Sequence, residues 1–308
     1  MYREKRIAVV VPAHNEELLI LDTLETVPDF VDRVYVIDDC SKDATLERAR
    51  AHAKKDARVT VIHHEVNGGV GASITTGFKA ALIDGTDILT VMAGDNQMDP
   101  VHLPTLIDPI VEGKADFTKG SRLKPGYWKG MSNWRLFGNM LLNLINKIAS
   151  GYWIISDPQN GYIAISSTGL SKMDLNSLYP RYAFENDMMI KANVHELRMF
   201  NIFIPAKYGS ETSDIKYGSF ILSTSYFLFK SFIWRIIVKL LIYRRLVYFG
   251  YVLGMLCLVL GAVMIFFGEW NILLLGFVLF IFSCIGEYKH EIRSLTEDNT
   301  NPTSMVKR

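Results

Sequence analysis

Cysteine is scarce in this chain and follows no recognisable pattern. The 308 residues include only Cys40, Cys257 and Cys284, and none of them are spaced as in a Cys-x-x-Cys metal or redox motif. An odd number of widely separated cysteines argues against a disulfide framework. We therefore expect unpaired thiols in a reducing compartment.

The sequence also lacks a large net charge and an apolar N-terminal segment. Its formal net charge is +1, so we expect no nucleic acid partner. Residues 1–6 lead directly into a strand-like run and have none of the apolar core of a signal peptide. We therefore expect the leading domain to stay in the cytoplasm.

Charged residues are missing from a long C-terminal stretch. Residues 246–268 contain none, which is enough to cross about 30 Å of hydrocarbon as a helix. Residues 272–286 are shorter and predict a second, tilted span with Trp270 and Tyr288 at the interfaces. A re-entrant segment is the alternative for this second run. Basic residues flank the pair on its outer sides, which predicts that both ends are cytoplasmic.

A basic stretch precedes the first span. Residues 229–245 place cations among aromatic and aliphatic side chains, which is typical of an amphipathic helix lying in the membrane interface. The cations are Lys230, Arg235, Lys239, Arg244 and Arg245. The sequence thus predicts four parts: a domain over 1–220, an interfacial helix over 221–245, two transmembrane helices over 246–288, and a polar cytoplasmic tail over 289–308.

The first part alternates strands and helices. The pattern predicts strands at 6–13, 31–39, 58–64, 87–95, 162–166 and 199–208, with helices at 15–27, 41–55, 67–82, 133–150 and 184–195. Ser41 is the candidate N-cap of the second helix. This alternation predicts an α/β domain with a mainly parallel sheet.

Polar residues recur where the predicted strands end, namely at Asn15 and Glu16, at Asp38 and Asp39, and at Asp95. Ligands of open α/β sheets bind at the carboxyl ends of strands, so these side chains point to one cleft. Asp95 and the amide of Gln97 suit a hard cation such as Mg²⁺ or Mn²⁺ when a diphosphate supplies the remaining ligands.

Five short motifs follow one another in order. They are Pro12-Ala13-His14-Asn15-Glu16, Val36-Ile37-Asp38-Asp39-Cys40-Ser41-Lys42-Asp43-Ala44-Thr45, Asn67-Gly68-Gly69-Val70-Gly71, Gly94-Asp95-Asn96-Gln97-Met98-Asp99-Pro100 and Gly120-Ser121-Arg122. Together they resemble family 2 glycosyltransferases of the GT-A fold, in particular the dolichyl- or polyprenyl-phosphate sugar synthases. The resemblance covers most of residues 6–215.

The resemblance implies roles for individual residues. The implied nucleotide-sugar contacts are Pro12, Ala13, Asn15, Glu16, Asp38, Asp39, Gly69, Gly71, Asp95 and Gln97. The implied acceptor or phosphate contacts are Arg122, Arg135, Asp157, Gln159, Asn160 and Lys216, the last in a lid or linker over residues 208–216. Asp95 and Gln97 would hold the divalent cation. The candidate catalytic residues are Asp95, Glu185, Asp187 and Arg122.

Simpler explanations stand beside several of these roles. Arg135 also fits an ordinary surface charge, and the glycines also fit a plain turn and helix start. Glu185 and Asp187 also fit the preference of acids for a helix N-terminus. With a phosphate acceptor they would mainly position groups, whereas with a hydroxyl acceptor one of them becomes the general base.

Two positions depart from the family pattern. Ala93 stands where an aspartate is usual two residues before the metal-binding one, so cation binding would depend more on Asp95, Gln97 and the phosphates, with Asp99 as a further candidate. Val70 stands where a lysine is frequent.

The resemblance implies inverting transfer of one sugar from a UDP- or GDP-sugar to a polyprenyl (dolichyl) phosphate in the membrane, supplying a lipid-linked sugar for glycan or glycoprotein assembly. The motifs at 94–97 and 157–161 are slightly closer to glucose-type and related archaeal enzymes than to mannose synthases. A hydroxyl acceptor on a glycolipid or lipid-linked saccharide is the alternative. A nucleotidyltransferase and a non-enzymatic membrane scaffold are more distant ones. The sequence makes no prediction of oligomeric state.

Overall fold

The structure is a computed structural model that describes residues 1–122, 133–205, 217–267 and 269–297. Within these residues, seven strands form one mixed sheet in the order β3-β2-β1-β4-β6-β5-β7, in which only β6 is antiparallel to its neighbours. The strands are β1 Ile7–Ala13, β2 Arg33–Asp38, β3 Val59–His63, β4 Ile88–Val91, β5 Phe117–Ser121, β6 Ile163–Ser166 and β7 Met199–Phe203. The predicted mainly parallel sheet is confirmed.

Helices cover both faces of the sheet, as its continuous apolar strands require. Every residue of β1 is buried, and two hydrophobic clusters fill the layers on either side. The helices of the domain are α1 Ile20–Glu25, α2 Thr45–Ala53, α3 Val70–Ile83, α4 Leu103–Val111, α5 Asn133–Ser150, α6 Ser167–Leu170 and α7 Phe184–Val194. They are followed by α8 Tyr217–Tyr243, α9 Leu246–Met264 and α10 Asn271–Glu297.

Several predicted boundaries were wrong at the cleft end of the elements. The first helix begins at Ile20 and not at Asn15, because Asn15 has a left-handed φ of 57° that no α-helix accepts. The second begins at Thr45, so Ser41 is not its N-cap; the Ser41 hydroxyl instead accepts a hydrogen bond from the Asn15 amide at 3.0 Å. Strand β4 ends at Val91, four residues before Asp95. Residues predicted as regular structure are therefore loops at this edge.

Helices α9 and α10 form an antiparallel hairpin of two apolar helices. By length and composition, residues 246–267 and 271–296 are each long enough to cross a membrane. The second span was predicted to be short, but α10 runs without interruption from Asn271 to Glu297, beyond the predicted limit of 288. The two helices approach closely at Gly261, where a Cβ atom would lie 2.5 Å from the Leu273 backbone. Small residues allow such contact between membrane helices.

The basic stretch is oriented differently from the prediction. Arg235 is fully buried and Lys239 is 3% exposed, so both cations of the central α8 segment point into the protein. The face that α8 turns outward is apolar and aromatic instead. Its exposed residues include Tyr226, Phe229, Trp234, Ile237, Leu241 and Ile242. Lys230 and Arg244 are exposed as well, so Arg235 and Lys239 are the two of the five predicted interfacial cations that are buried, and the placement of this stretch at the membrane interface stays a prediction.

Candidate active site

Loops from several strands meet at one edge of the sheet. The Gly94 amide donates to the Pro12 carbonyl at 3.1 Å, which joins the loop after β4 to the end of β1. Asn15, Asn96 and Asp157 lie in three of these loops and share a left-handed φ of 55–57°. Asn and Asp tolerate this conformation better than other non-glycine residues. The cleft predicted at the strand ends is therefore present and built from tightly bent loops.

The loops after β1 and β2 are bound to each other. The side-chain oxygen of Asn15 accepts from the Lys42 amide at 2.8 Å, and the Glu16 amide donates to the Thr45 hydroxyl at 2.7 Å. Pro12 and Ala13 are buried at the end of β1, whereas Asn15 is exposed. Of the residues predicted to line the nucleoside pocket, Asn15 presents the most accessible side chain.

Asp39 fixes the glycine-rich loop. Its carboxylate accepts from the Gly68 and Gly69 amides at 2.9 and 2.7 Å, and His64 Nδ1 lies 2.8 Å from its Oδ1. Burial opposes ionisation, but these hydrogen bonds outweigh it and lower the pKa of Asp39 below its ordinary value. In the ligand-free protein its oxygens are thus engaged within the chain.

Asp38 is also engaged within the protein. It is fully buried, and its Oδ2 lies 2.8 Å from His63 Nδ1. Its other oxygen, Oδ1, is buried without a hydrogen-bond partner, and the predicted contact of Asp38 with base or ribose stays a prediction. The structure therefore gives Asp38 a place beneath the cleft rather than on its surface.

The glycines after β3 are required by packing. Gly69 has a φ of 93° and precedes α3, as expected of a turn and helix start. A Cβ atom on Gly71 would lie 2.3 Å from the Tyr179 carbonyl oxygen and 2.9 Å from Phe184. The backbone that approaches Gly71 is therefore the chain's own, and the contact of Gly69 and Gly71 with the donor stays a prediction.

Asp95 and Gln97 are close together in the loop after β4. The backbone amide of Gln97 donates to Asp95 Oδ1 at 3.0 Å, and burial raises the pKa of Asp95. Asp99 instead caps a short turn by accepting from the Val101 amide at 3.0 Å. The described residues contain no group of three or more His, Cys, Asp or Glu side chains arranged for a metal ion. One carboxylate and one amide fit a cation that takes its other ligands from a diphosphate and water.

Arg122 is held in place by Asp157. Its Nε and a terminal nitrogen donate to the two Asp157 oxygens at 2.7 and 2.9 Å, and the Arg122 amide donates to the same carboxylate at 2.9 Å. Asp157 is buried, yet this pairing lowers its pKa, while the arginine side chain remains 42% exposed. Asp157 is an anion that orients Arg122, and its contact with the acceptor stays a prediction.

Gln159 and Asn160 belong to the same loop, before β6. Gln159 donates to Asn186 at 3.2 Å, and Asn186 donates to Asn146 at 2.7 Å, which forms a chain of amides from the loop into α7 and α5. The Asn160 side chain accepts from the Tyr162 amide at 3.0 Å. Gln159 thus ties the loop before β6 to α7, whereas Asn160 stabilises the turn of the loop itself.

Glu185 and Asp187 both lie in the first turn of α7, but their side chains contact different residues. Glu185 Oε1 lies 3.4 Å from the position of a Cβ atom on Gly161, so it points to the loop before β6, and burial raises its pKa. Asp187 accepts from the Tyr179 amide at 2.8 Å and from Lys191 Nζ at 2.6 Å. Residues two apart occupy different faces of a helix. The structure therefore brings Glu185, but not Asp187, to the predicted site.

Three residues remain to be placed relative to the predicted site: Arg135, Lys216 and Lys119. The side chain of Arg135 and the whole of Lys216 lie outside the described residues. Lys119 on β5 was missed: it is fully buried, and its ammonium donates to the Asn160 carbonyl oxygen. A lysine within a strand that is otherwise apolar or small was the available signal, because buried lysines are rare unless they are paired.

Known proteins resemble this chain in sequence and fold. The model of the family "Glycosyl transferase family 2" matches residues 8–172. Similar proteins include the UDP-N-acetylglucosamine–dolichyl-phosphate N-acetylglucosaminyltransferase of Methanococcus voltae, 29% identical over 67% of this chain and 87% of the relative. The undecaprenyl-phosphate mannosyltransferase of Micrococcus luteus is 31% identical over 60% of this chain and 77% of the relative.

Solved structures support the fold. Glucosyl-3-phosphoglycerate synthase of Mycobacterium tuberculosis superposes with a TM-score of 0.53 at 19% identity, over 75% of this chain and 80% of that one. Mannosyl-3-phosphoglycerate synthase of Rubrobacter xylanophilus gives 0.55 at 16% identity, over 75% and 74%. At these identities the likeness establishes the architecture alone.

Proposed function

The chain belongs to glycosyl transferase family 2 and is a glycosyltransferase of the GT-A fold, and we propose that it transfers one sugar from a UDP- or GDP-sugar to a polyprenyl phosphate at the membrane surface. The two relatives described above support this acceptor, because the names of both contain a polyprenyl phosphate. Their names differ in the sugar, so the donor has to be found by experiment.

The observation that carries the proposal is the connection of α7 to the apolar hairpin. Glu185 lies in the first turn of α7, and Asn193 lies near its end. The Asn193 side chain accepts from Arg235 at 3.2 Å, and Arg235 in turn pairs with Glu287 of α10. Eight residues of α-helix span about 12 Å. A cleft at this distance from a membrane hairpin suits an acceptor whose headgroup stays at the bilayer surface.

The outer face of α8 supports the same conclusion. Trp234, Phe229 and Tyr226 are 42–70% exposed on a helix that only two residues separate from α9. Aromatic side chains on a helix adjoining a membrane span favour the lipid interface. We place α8 against the bilayer through this face, with α9 and α10 crossing it and both ends of the hairpin in the cytoplasm.

The residues at the cleft suit transfer to a phosphate. The Arg122 guanidinium, oriented by Asp157, matches the geometry of a phosphate group. A phosphate oxygen of the acceptor attacks the anomeric carbon and forms the new C–O bond. The bond from that carbon to the nucleoside diphosphate breaks, and the diphosphate leaves with the electron pair. A phosphate is anionic at neutral pH, so Glu185 serves mainly to position groups.

Asp95 and Gln97 fit a divalent cation, as their carboxylate and amide oxygens are ligands that Mg²⁺ and Mn²⁺ accept. The cation supplies positive charge that stabilises the leaving diphosphate. The partly buried Asp95 carboxylate, whose pKa desolvation raises, would gain a compensating charge when such an ion is bound.

A product assay tests the proposal. The purified protein in lipid nanodiscs is incubated separately with radiolabelled UDP-N-acetylglucosamine, UDP-glucose and GDP-mannose. Each donor is combined with dolichyl phosphate, undecaprenyl phosphate or free dolichol, and an Asp95→Asn variant serves as control. We expect label from one donor in the organic phase only with a lipid phosphate. Label on dolichol, or on an endogenous glycolipid hydroxyl, would support the alternative of a hydroxyl acceptor.

A further inference from the structure

Lys119 is the buried charge closest in sequence to the Gly120-Ser121-Arg122 motif. It lies in β5, its side chain has no solvent exposure, and all five residues of the strand are buried. Its ammonium donates to the carbonyl oxygen of Asn160, which belongs to the loop that carries Asp157. Strand β5 thus carries a long charged side chain at a position where an apolar side chain would be buried at a lower cost in free energy.

Charged groups from three neighbouring segments act on Lys119. Glu185 of α7 and Asp157 of the loop attract its ammonium, whereas Arg122 at the end of β5 repels it. Asp157 already pairs with Arg122 through two hydrogen bonds. Among the described residues no salt bridge is formed by Glu185, and the charge that stabilises its ionised form is that of Lys119. Lys119 therefore contributes the positive charge that Glu185 otherwise lacks.

Burial affects the two groups in opposite ways. It lowers the pKa of Lys119 to about 8 and raises the pKa of Glu185, because each charged form loses hydration. The attraction between the two opposes both shifts. Above about pH 8 Lys119 loses its proton, and Glu185 then loses the opposite charge that Lys119 supplies.

We propose that Lys119 is a positioning residue of the transfer reaction, which holds the loop before β6 through the Asn160 carbonyl, next to Gly161 where the Glu185 carboxylate lies, and presents a positive charge to that carboxylate. This inference rests on the proposed function only in that Glu185 acts on the bound substrates. It applies equally to a phosphate and to a hydroxyl acceptor. Lys119 touches no substrate itself and acts through Asn160 and Glu185.

The test begins with Lys119→Met, which keeps the length of the side chain and removes its charge. We expect the turnover number to fall by about 100-fold, as happens when a reacting group is misplaced. The acidic limb of the pH–rate profile is expected to move up by about one unit or more, because Glu185 has lost an opposite charge. The alkaline decline near pH 8 should disappear.

Thr118→Val is the matched control. Thr118 is buried in the same strand, points to the opposite face, and donates its hydroxyl to the Leu106 carbonyl at 2.7 Å. The control lowers stability without changing any charge, so its pH profile should remain that of the wild type. An equal shift of the profile in Thr118→Val would overturn the assignment, since it would show a purely structural effect.

A double variant tests whether Lys119 acts through Glu185. If it does, Lys119→Met combined with Glu185→Gln is about as slow as Glu185→Gln alone, because coupled residues are not additive. Additive losses would contradict the proposed link.

A measurement on the protein without substrate tests the role of Lys119 independently of which acceptor the enzyme uses. Infrared spectra of protein labelled with ¹³C-glutamate identify the Glu185 band by its loss in Glu185→Gln. Because Lys119 lowers the pKa of Glu185, we expect the protonated carboxyl band of Glu185 to persist to higher pH in Lys119→Met than in the wild type. The same pH dependence of this band in both proteins would overturn the electrostatic role of Lys119, whatever lipid the enzyme uses.

Discussion

Arg235 of α8 and Glu287 of α10 form an ion pair that is almost completely removed from solvent. The side chains are 0% and 6% exposed, and Arg235 donates to the two Glu287 oxygens at 2.5 and 3.2 Å. Arg235 also donates to the Ala149 and Ile148 carbonyls at the end of α5, and the Tyr251 hydroxyl donates to Glu287. One buried cation thus joins the glycosyltransferase domain to the hairpin.

Removing one partner of this pair should destabilise the protein strongly. Arg235→Met leaves Glu287 buried without its cation, which is expected to cost about 3–5 kcal/mol of unfolding free energy. The double variant Arg235→Met/Glu287→Gln should recover part of the loss. Thermal unfolding in detergent checks both expectations.

Arg33→Met is the control for the buried pair. The Arg33–Asp84 pair is 3.8 Å apart with both side chains 41% exposed, and its loss should cost at most about 1 kcal/mol of unfolding free energy. Equal effects of the two single variants would contradict the expectation.

Glu185 and Asp187 should respond differently to loss of charge. Glu185→Gln is expected to slow transfer to a lipid phosphate by about 10- to 100-fold, below the full range for loss of a general base, and to leave the melting temperature unchanged or higher. Asp187→Asn weakens the contacts with Lys191 and the Tyr179 amide, which should cost about 1–3 kcal/mol. Melting curves and initial rates separate the two. A stable but inactive Asp187→Asn protein would return Asp187 to the catalytic residues.

The transfer activity should depend on a divalent cation held by Asp95. EDTA is expected to abolish transfer and Mg²⁺ or Mn²⁺ to restore it, and Asp95→Asn should reduce the rate by about 100-fold or more. Ala93→Asp adds a carboxylate and should lower the half-saturating cation concentration by about tenfold. Asp99→Asn is the control, because Asp99 caps a turn. Rates measured over a cation titration give all of these values, and full activity in EDTA would refute the cation site.

Acid should release the glycine-rich loop from Asp39. Its pKa in the folded protein is lowered, whereas the unfolded chain has the ordinary value of about 3.9. The unfolded state therefore binds the proton first, so the stabilisation is complete above about pH 4 and is lost as the pH falls through the folded pKa. Melting temperatures between pH 3 and 7 should fall less steeply for Asp39→Asn than for the wild type. An unchanged acid dependence in Asp39→Asn, with exposed Asp22→Asn as control, would contradict this account.

The close approach of α9 and α10 predicts a difference between two glycines. A Cβ atom on Gly261 would meet the Leu273 backbone at 2.5 Å, whereas one on Gly286 would meet the Val247 side chain at 2.7 Å. A side chain can rotate away but a backbone cannot, so Gly261→Ala should cost about 1–3 kcal/mol and Gly286→Ala clearly less. Thermal stability in nanodiscs compares the two variants, and the reverse order would argue against this packing of the hairpin.

The sequence predicted the parts of the molecule that depend on local pattern. Apolar runs located six of the seven strands described above and missed β5, and their alternation with helices indicated a parallel sheet because few other arrangements bury such strands on both faces. Spacing of motifs was enough to name the family. The ends of elements were predicted less well: Asn15 and Ser41 adopt loop conformations through contacts with each other, and neither contact leaves a local signal.

By itself, then, the sequence determined the class of fold, the family and the presence of two long apolar segments, since composition and short-range order carry this information. Only the tertiary structure decided which charges face the cleft. In the folded protein Arg235, Lys239 and Lys119 are buried. Asp39 and Asp157 form hydrogen bonds with neighbouring loops, and Glu185 and Asp187 have different partners. The physical reason is that a buried charge is stable only beside partners that are distant in the chain, such as Glu287 for Arg235.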